Sequence, residues 1–401
     1  MLTNENSVPA PERVTLSFEN TEIAFRHASN ADLQRAYWLF KAINNNFLVK
    51  VGPGMTNFAI KMGLPIKGLI KATIFKQFCG GETIAECDNT IKNLHSGGVG
   101  TILDYSVEGE EDEKVFDHTR DEIIRTIERA TGDPAVPITV FKVTGVGRFG
   151  LLEKLDTGAS LTAAEIEEWQ KVQARVLDIC QKAFQVGVPV MIDAEESWIQ
   201  ITLDKLALDM MQRFNQYKCI VYNTYQIYRH DKLADLKQDF EKATAKGFIL
   251  GAKLVRGAYM EKERKRAQEM GYPSPIQPDK QSADRDYNEA TRFCVRNIER
   301  IAIVAGTHNE DSCRFLADLM NELNVPHNHP HVYFSQLLGM SDNLSFNLAN
   351  AGYNVVKYVP YGPVKAVLPY LFRRAQENTA IAGQMSRELG LIIKEKQRRK
   401  I

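Results

Sequence analysis

The run "ITVFKVTGVGRFGLLEKLDTGASLTAAEIEEWQKVQARVLDICQKAFQVGVPVMIDAEE", residues 138–196, decides the fold. It opens on a β-rich segment, "ITVFKVTG" (138–145), and closes on another, "VPVMIDAEE" (188–196), each ending in polar residues. Between them Trp169, Val172, Val176 and Ile179 recur at helical spacing within 161–186, so the unit reads strand, helix, strand. The "GVGRFG" at 145–150 matches G-x-G-x-x-G directly after a strand, which raises a dinucleotide-binding fold as the competing reading. That fingerprint should open a helix at once and meet an acidic residue at the end of the next strand, about 20 residues on. Here "LLEKLDTGASLT" and a long helix intervene, and the acidic strand end, Asp193, arrives too late. The glycines read instead as a tight strand-to-helix loop.

The same unit repeats on both sides. "GVGTILDY" (98–105) precedes it, and "CIVYNTYQ" (219–226), "ILGAKLVRGAY" (249–259), "IAIVAGTHNE" (301–310), "HVYFSQLLG" (331–339) and "YNVVKYVPYG" (353–362) follow. Eight strand signals separated mostly by helical patterns, such as Phe116, Ile123, Ile124 and Ile127, predict an α/β fold of the parallel (βα)₈ TIM-barrel type. Barrel enzymes place their chemistry at the C-terminal ends of the strands. Asp104, Lys142, Asp193, Asn223, Arg256, His308, Gln336 and Tyr358 sit near such ends and should converge on one mouth. Residues 1–65 carry a helical pattern (Leu33, Ala36, Tyr37, Phe40) and read as an N-terminal arm packed on a barrel that spans 66–401.

Composition narrows the chemistry. The 401 residues are 44% hydrophobic and 25% charged, with 50 basic and 50 acidic side chains, which argues against broad electrostatic capture of nucleic acid. The substrate is expected to be small. Six cysteines (79, 87, 180, 219, 294, 313) lie far apart without a C-x-x-C, so neither a zinc site nor a disulfide framework is expected. His327, His329 and His331 alternate in "PHNHPHVYF", but Pro326 and Pro330 and the position before a strand favour a loop over a metal site. "DAEE" (193–196) offers carboxylates either for acid/base or Mg²⁺ work or for ordering its own loop. No targeting segment or bilayer-length apolar run is evident, so a cytoplasmic location is expected. The basic end, "KEKQRRKI", reads as a solvated helix end that could touch an anionic membrane.

One helix pattern is unusual. In "YVPYGPVKAVLPYLFRRAQEN" (358–378), Tyr370, Arg373, Arg374 and Glu377 fall at i, i+3, i+4 and i+7, so a ring, two guanidinium groups and a carboxylate share a face. Paired Arg forks match a carboxylate or phosphate, which they hold bidentately.

Together, "LVRGAY" (254–259), "AGTHNE" (305–310), "FSQLLGM" (334–340), "YVPYG" (358–362) and "YLFRRAQEN" (370–378), supported by "FCGGET" (78–83), "DAEESW" (193–198) and "YNTYQ" (222–226), resemble the proline dehydrogenase family, over about residues 65–380. The resemblance implies a distorted barrel of the monofunctional type. It implies FAD-dependent oxidation of L-proline to Δ1-pyrroline-5-carboxylate by hydride transfer to flavin N5, with electrons passed to a membrane quinone. Arg373 and Arg374 would grip the substrate carboxylate, Glu377 would lie near the ring nitrogen, and Leu337, Tyr358 and Tyr370 would wall the ring. Asp104 and a lysine would complete the pocket, the local match placing that lysine at Lys67 with Lys71 as the alternative. FAD would be held by Asn223, Gln226, Lys253, Arg256, Gly257, Ala258, Thr307 and His308, with no metal. Location would be peripheral at an inner membrane, mitochondrial in a eukaryote. The sequence carries no signal for oligomeric state. The rival readings are a hydroxyproline dehydrogenase on the same scaffold, a flavin-free phosphate-sugar barrel enzyme using "DAEE", and a scaffold without catalysis.

Overall fold

A computed structural model describes residues 16–43, 66–106, 112–380 and 382–401, with Gly54 and Met62, and for 376–380 and 382–386 the backbone alone. Eight parallel strands form one sheet: β1 (Val99–Tyr105), β2 (Thr139–Phe141), β3 (Val190–Ile192), β4 (Val221–Gln226), β5 (Leu250–Val255), β6 (Ile301–Gly306), β7 (Val332–Leu337) and β8 (Val355–Tyr361). Their order is β1-β8-β7-β6-β5-β4-β3-β2, a TIM barrel distorted at one seam. The seam lies between β1 and β2, and its cause is local. Pro137, just before β2, has no N–H to donate. Among the described residues only the Thr101 N–H reaches across, to the Ala135 carbonyl at 2.8 Å.

Side chains alternate along each strand. Ile102, Ile138, Val140, Met191, Tyr222, Ile249, Ala302, Val304, Val356 and Tyr358 point inward and fill the barrel. Their neighbours, such as Leu103, Ile192, Val221, Leu254, Ile303 and Phe334, face outward and pack under the helices.

The 161–186 pattern becomes the helix Ala163–Val186, started by a capping box between Thr162 and Glu165 and stopped by Gly187 at φ 71°. The glycine-rich stretch is a tight strand-to-helix connection, one 3-10 turn at Val143–Gly145 followed by a short helix, Phe149–Thr157, that opens within it. A Cβ on Gly147 would lie 2.7 Å from Val172 on that helix, so glycine is what lets the loop pass so close.

The arm pattern forms the helices Thr21–Phe25 and Asn30–Ile43. Leu33, Ala36 and Phe40 pack with Val367, Leu371, Leu391 and Ile392 from the last two helices, Val364–Ala380 and Ala382–Arg399. The basic end of the chain joins this contact. Arg399 donates to the carbonyl oxygens of Phe25 (2.6 Å) and Ala28 (2.8 Å), and Glu395 lies fully buried against Arg398 and Arg399. Part of the basic tail is therefore an internal clasp.

Candidate active site

Alternation lifts one residue per strand from the barrel core to its C-terminal mouth. Two residues beyond Ile102, Val140 and Met191 stand Asp104, Lys142 and Asp193, and β5 and β8 contribute Lys253 and Tyr358. Acid and base alternate around the rim. Lys142 Nζ lies 3.6 Å from Asp104 Oδ2, which also accepts from Ser106 Oγ at 2.8 Å. Lys253 Nζ donates to Asp193 Oδ1 and to Tyr358 OH, both at 2.6 Å, and Tyr358 OH donates to the same Asp193 oxygen at 2.7 Å. Asp104, Asp193, Lys253 and Tyr358 are almost wholly buried, so the pairing satisfies charges that would be costly alone. Burial and the Asp193 charge hold the Tyr358 phenol well above its ordinary pKa, so it stays a hydrogen-bond donor.

The "DAEE" carboxylates diverge. Asp193 serves Lys253, Glu196 pairs with Lys262, and Glu195 accepts from Thr144 through its N–H (3.2 Å) and Oγ1 (2.5 Å). Glu195 thus ties the loop after Lys142 to the loop after Asp193. Burial pushes its pKa up to about 8, against the Thr144 hydrogen bonds that lower it. Three carboxylates with three separate partners order their loops, which leaves the Mg²⁺ reading without a shared ligand set.

On the adjoining rim, Arg256 is held from several sides. It donates to Asp284 and Thr307 Oγ1 at 2.8 Å and to Ser312 Oγ at 3.0 Å, and its guanidinium lies 4.4 Å from the Tyr287 ring centroid. Gly257 follows at φ 145°, where a Cβ would strike the Tyr228 ring, and the chain emerges at exposed Gly257 and Ala258. Gly306, at the end of β6, is bare toward Lys253. A Cβ there would lie 2.9 Å from Val255 Cγ1 and 3.2 Å from the Leu254 carbonyl. Thr307 is buried, and Gln336 donates to its carbonyl at 3.1 Å. Gln226 Nε2 donates to the Glu195 carbonyl at 2.6 Å. Two cations, an exposed turn at Gly257 and Ala258, and ordered loop amides suit a flat anionic cofactor such as FAD.

The Val364–Ala380 helix carries the arginine stripe. Arg374 is buried with its guanidinium 5.1 Å from the Tyr370 ring centroid, and Arg373 and Tyr370 are partly buried. Leu337, at the end of β7, packs against both the barrel-core cluster containing Tyr358 and the helical cluster containing Tyr370. It joins the ring stripe to the mouth. The side chain of Glu377 lies outside the described residues.

Three expectations fall elsewhere, the first being Gln336, which faces outward and accepts from Ser345 Oγ on the outer helix Asp342–Asn350 at 2.9 Å. Lys67 is 66% exposed and pairs with Glu82 at 3.0 Å, and Lys71 pairs with Glu82 and Glu86. The lysines of the mouth are Lys142 and Lys253. Asn223 faces outward, because its neighbours Tyr222 and Thr224 take the inward register. Its amide donates to Asp204 on the outer helix Ser197–Phe214 at 2.9 Å. The histidine run is structural, with His327 bonded to Ala351 O and Asn321, and His331 to Ile298 O.

Comparison with known proteins agrees with this geometry. The family model described as "Proline dehydrogenase" matches residues 87–387, well over half of the chain. The mitochondrial proline dehydrogenase 1 of Dictyostelium discoideum is 34% identical over 417 residues, covering 92% of this chain and 73% of that protein. The carbapenem antibiotics biosynthesis protein CarD of Pectobacterium carotovorum is 33% identical over 333 residues, covering 83% and 86%. The human mitochondrial proline dehydrogenase 1 is 42% identical over 240 residues, covering 59% of this chain and 40% of that protein. Among solved structures, proline utilization A from Bdellovibrio bacteriovorus, inactivated by N-propargylglycine, superposes with a TM-score of 0.71 at 20% identity. That match covers 92% of this chain and 40% of the other, and speaks for the fold alone. The chain therefore belongs to the proline dehydrogenase family and is an oxidoreductase of proline metabolism.

Proposed function

We propose that the chain binds FAD across the β4–β6 rim and oxidises L-proline beneath the arginine stripe, releasing Δ1-pyrroline-5-carboxylate and passing electrons to a quinone. The observation that carries this reading is the helix bearing Arg373 and Arg374 set beside a rim of alternating acids and bases. Lys253, Arg256, Gly257, Ala258, Thr307, His308 and Gln226 would hold the cofactor. When bound, FAD supplies a two-electron acceptor for hydride.

The chain's own residues do the rest. Arg373 and Arg374 hold the carboxylate in charge-assisted hydrogen bonds, fixing the ring against the mouth. Leu337, Tyr358 and Tyr370 wall the apolar ring and exclude water. A hydride can leave only when the ring nitrogen is neutral, and the Lys142 cation at the rim favours the free amine by repulsion. The Asp193–Lys253–Tyr358 triangle locks one wall so that binding becomes positioning. Because the Tyr358 hydroxyl is already engaged by Asp193 and Lys253, a ring hydroxyl would meet an occupied partner. That supports plain proline over hydroxyproline. Quinone delivery implies contact with a membrane surface, which we assign to peripheral association. Among the described residues no helix is long and apolar enough to cross a membrane.

The test is turnover. Protein loaded with FAD, given L-proline and a soluble quinone, is expected to form a product that gives the yellow adduct with o-aminobenzaldehyde. Reduction of the quinone without that adduct would reject the product assignment, and no reduction at all would reject the function.

A further inference from the structure

Ser341 stands just before the helix Asp342–Asn350 at φ 52° and ψ 42°, a left-handed conformation that non-glycine residues rarely adopt. At that position a serine ordinarily turns its hydroxyl onto its own helix, yet here it makes no such cap. Both of its polar groups are taken by distant elements. Its N–H donates to Glu388 Oε1 on the C-terminal helix at 2.6 Å, and its Oγ lies 2.9 Å from His308 Nδ1 on the loop after β6. Lys357 braces the same turn from below. It is fully buried on the outer face of β8, donates to the Met340 carbonyl at 2.6 Å and pairs with Asp342 at 2.8 Å.

We infer that Glu388 is a positioning residue for the cofactor site. By holding Ser341 in its left-handed turn, the C-terminal helix aims the serine hydroxyl at His308 and so fixes the orientation of that imidazole. Glu388 is itself buried, and it accepts from a backbone amide that would otherwise point into the protein. Burial and the Lys357 and Arg374 cations bring His308 down to about pKa 3, so its ring is neutral. The role of His308 toward FAD rests on the function proposed above, whereas the Glu388–Ser341–His308 chain does not.

The test uses protein labelled with ¹⁵N-histidine and read without flavin. Wild type is expected to give one sharp set of His308 ring signals. Glu388→Gln, whose amide oxygen still accepts from the Ser341 N–H, should keep them, and Glu388→Ala should shift and broaden them. Ser341→Gly keeps the backbone turn and N–H but removes the hydroxyl, so it should disturb His308 while thermal unfolding stays close to wild type. In parallel, FAD titration should weaken about tenfold in Glu388→Ala, the loss expected for one hydrogen bond, and little in Glu388→Gln. Unchanged His308 signals in Ser341→Gly, or equal behaviour of the Gln and Ala variants, would overturn the inference. Failure of wild type to bind FAD would instead strike the proposed function and leave the histidine readout standing.

Discussion

Replacing Lys253 by Met removes the cation from the Asp193–Lys253–Tyr358 triangle while keeping most of its volume. Lys253 Nζ and Asp193 Oδ1 are 2.6 Å apart, with side chains only 8% and 12% exposed. Charges at that distance attract by about 6 kcal/mol at an effective dielectric of about 20, and desolvation offsets much of it. Losing one partner of such a pair strands the other charge, at a cost of about 3–5 kcal/mol. The Tyr358 hydroxyl still donates to Asp193, so the lower end of that range is expected. Asp193→Asn strands Lys253 in turn, and the double variant should cost less than the two singles together by about 1–3 kcal/mol. The assay is urea unfolding of the flavin-free protein, followed by far-UV circular dichroism. A Lys253→Met cost below about 1 kcal/mol, or additivity of the two singles, would refute the claim that the triangle is a buried, coupled unit.

Other outcomes follow from the same geometry. Lys142→Met should lower kcat/KM for proline by about 100-fold, while Lys67→Met, which breaks only an exposed pair with Glu82, should stay within about twofold. Glu195, with its pKa raised to about 8, binds its proton more tightly folded than unfolded. The stability it contributes is complete below its unfolded pKa and is lost as pH rises toward 8, by about 1.4 kcal/mol per pH unit. Glu195→Gln should flatten that part of the stability profile measured by denaturation at successive pH values. Gly306→Ala should push a methyl group against Val255 and the Leu254 carbonyl, costing about 1–3 kcal/mol in thermal unfolding and weakening FAD binding in a titration.

The barrel was legible because its strands are short apolar runs that end in polar residues, a pattern that survives without tertiary context. Three residues of the mouth are legible for the same reason: Asp104, Lys142 and Asp193 stand at strand ends. Lys67 matches only by local likeness in a helical stretch, where nothing in the spacing reports on the mouth. Counting two residues on from inward Val140 finds Lys142 instead. Parity also moves Asn223 outward, since Tyr222 and Thr224 flank it. The diverging "DAEE" carboxylates and the bond from Ser341 to Glu388 depend on contacts between distant segments, which no local pattern encodes.

The account turns on the arginine stripe acting as a carboxylate clamp beside a flavin. The most direct measurement is the visible absorption of FAD-loaded protein titrated anaerobically with L-proline, for wild type, Arg373→Ala and Arg374→Ala. The account predicts bleaching of the flavin band in wild type, with the half-point moved to at least about 100-fold more proline in either variant, as expected for losing a charged contact to a bound carboxylate. A flavin band that proline leaves unchanged in wild type, or half-points that coincide in all three proteins, would contradict it.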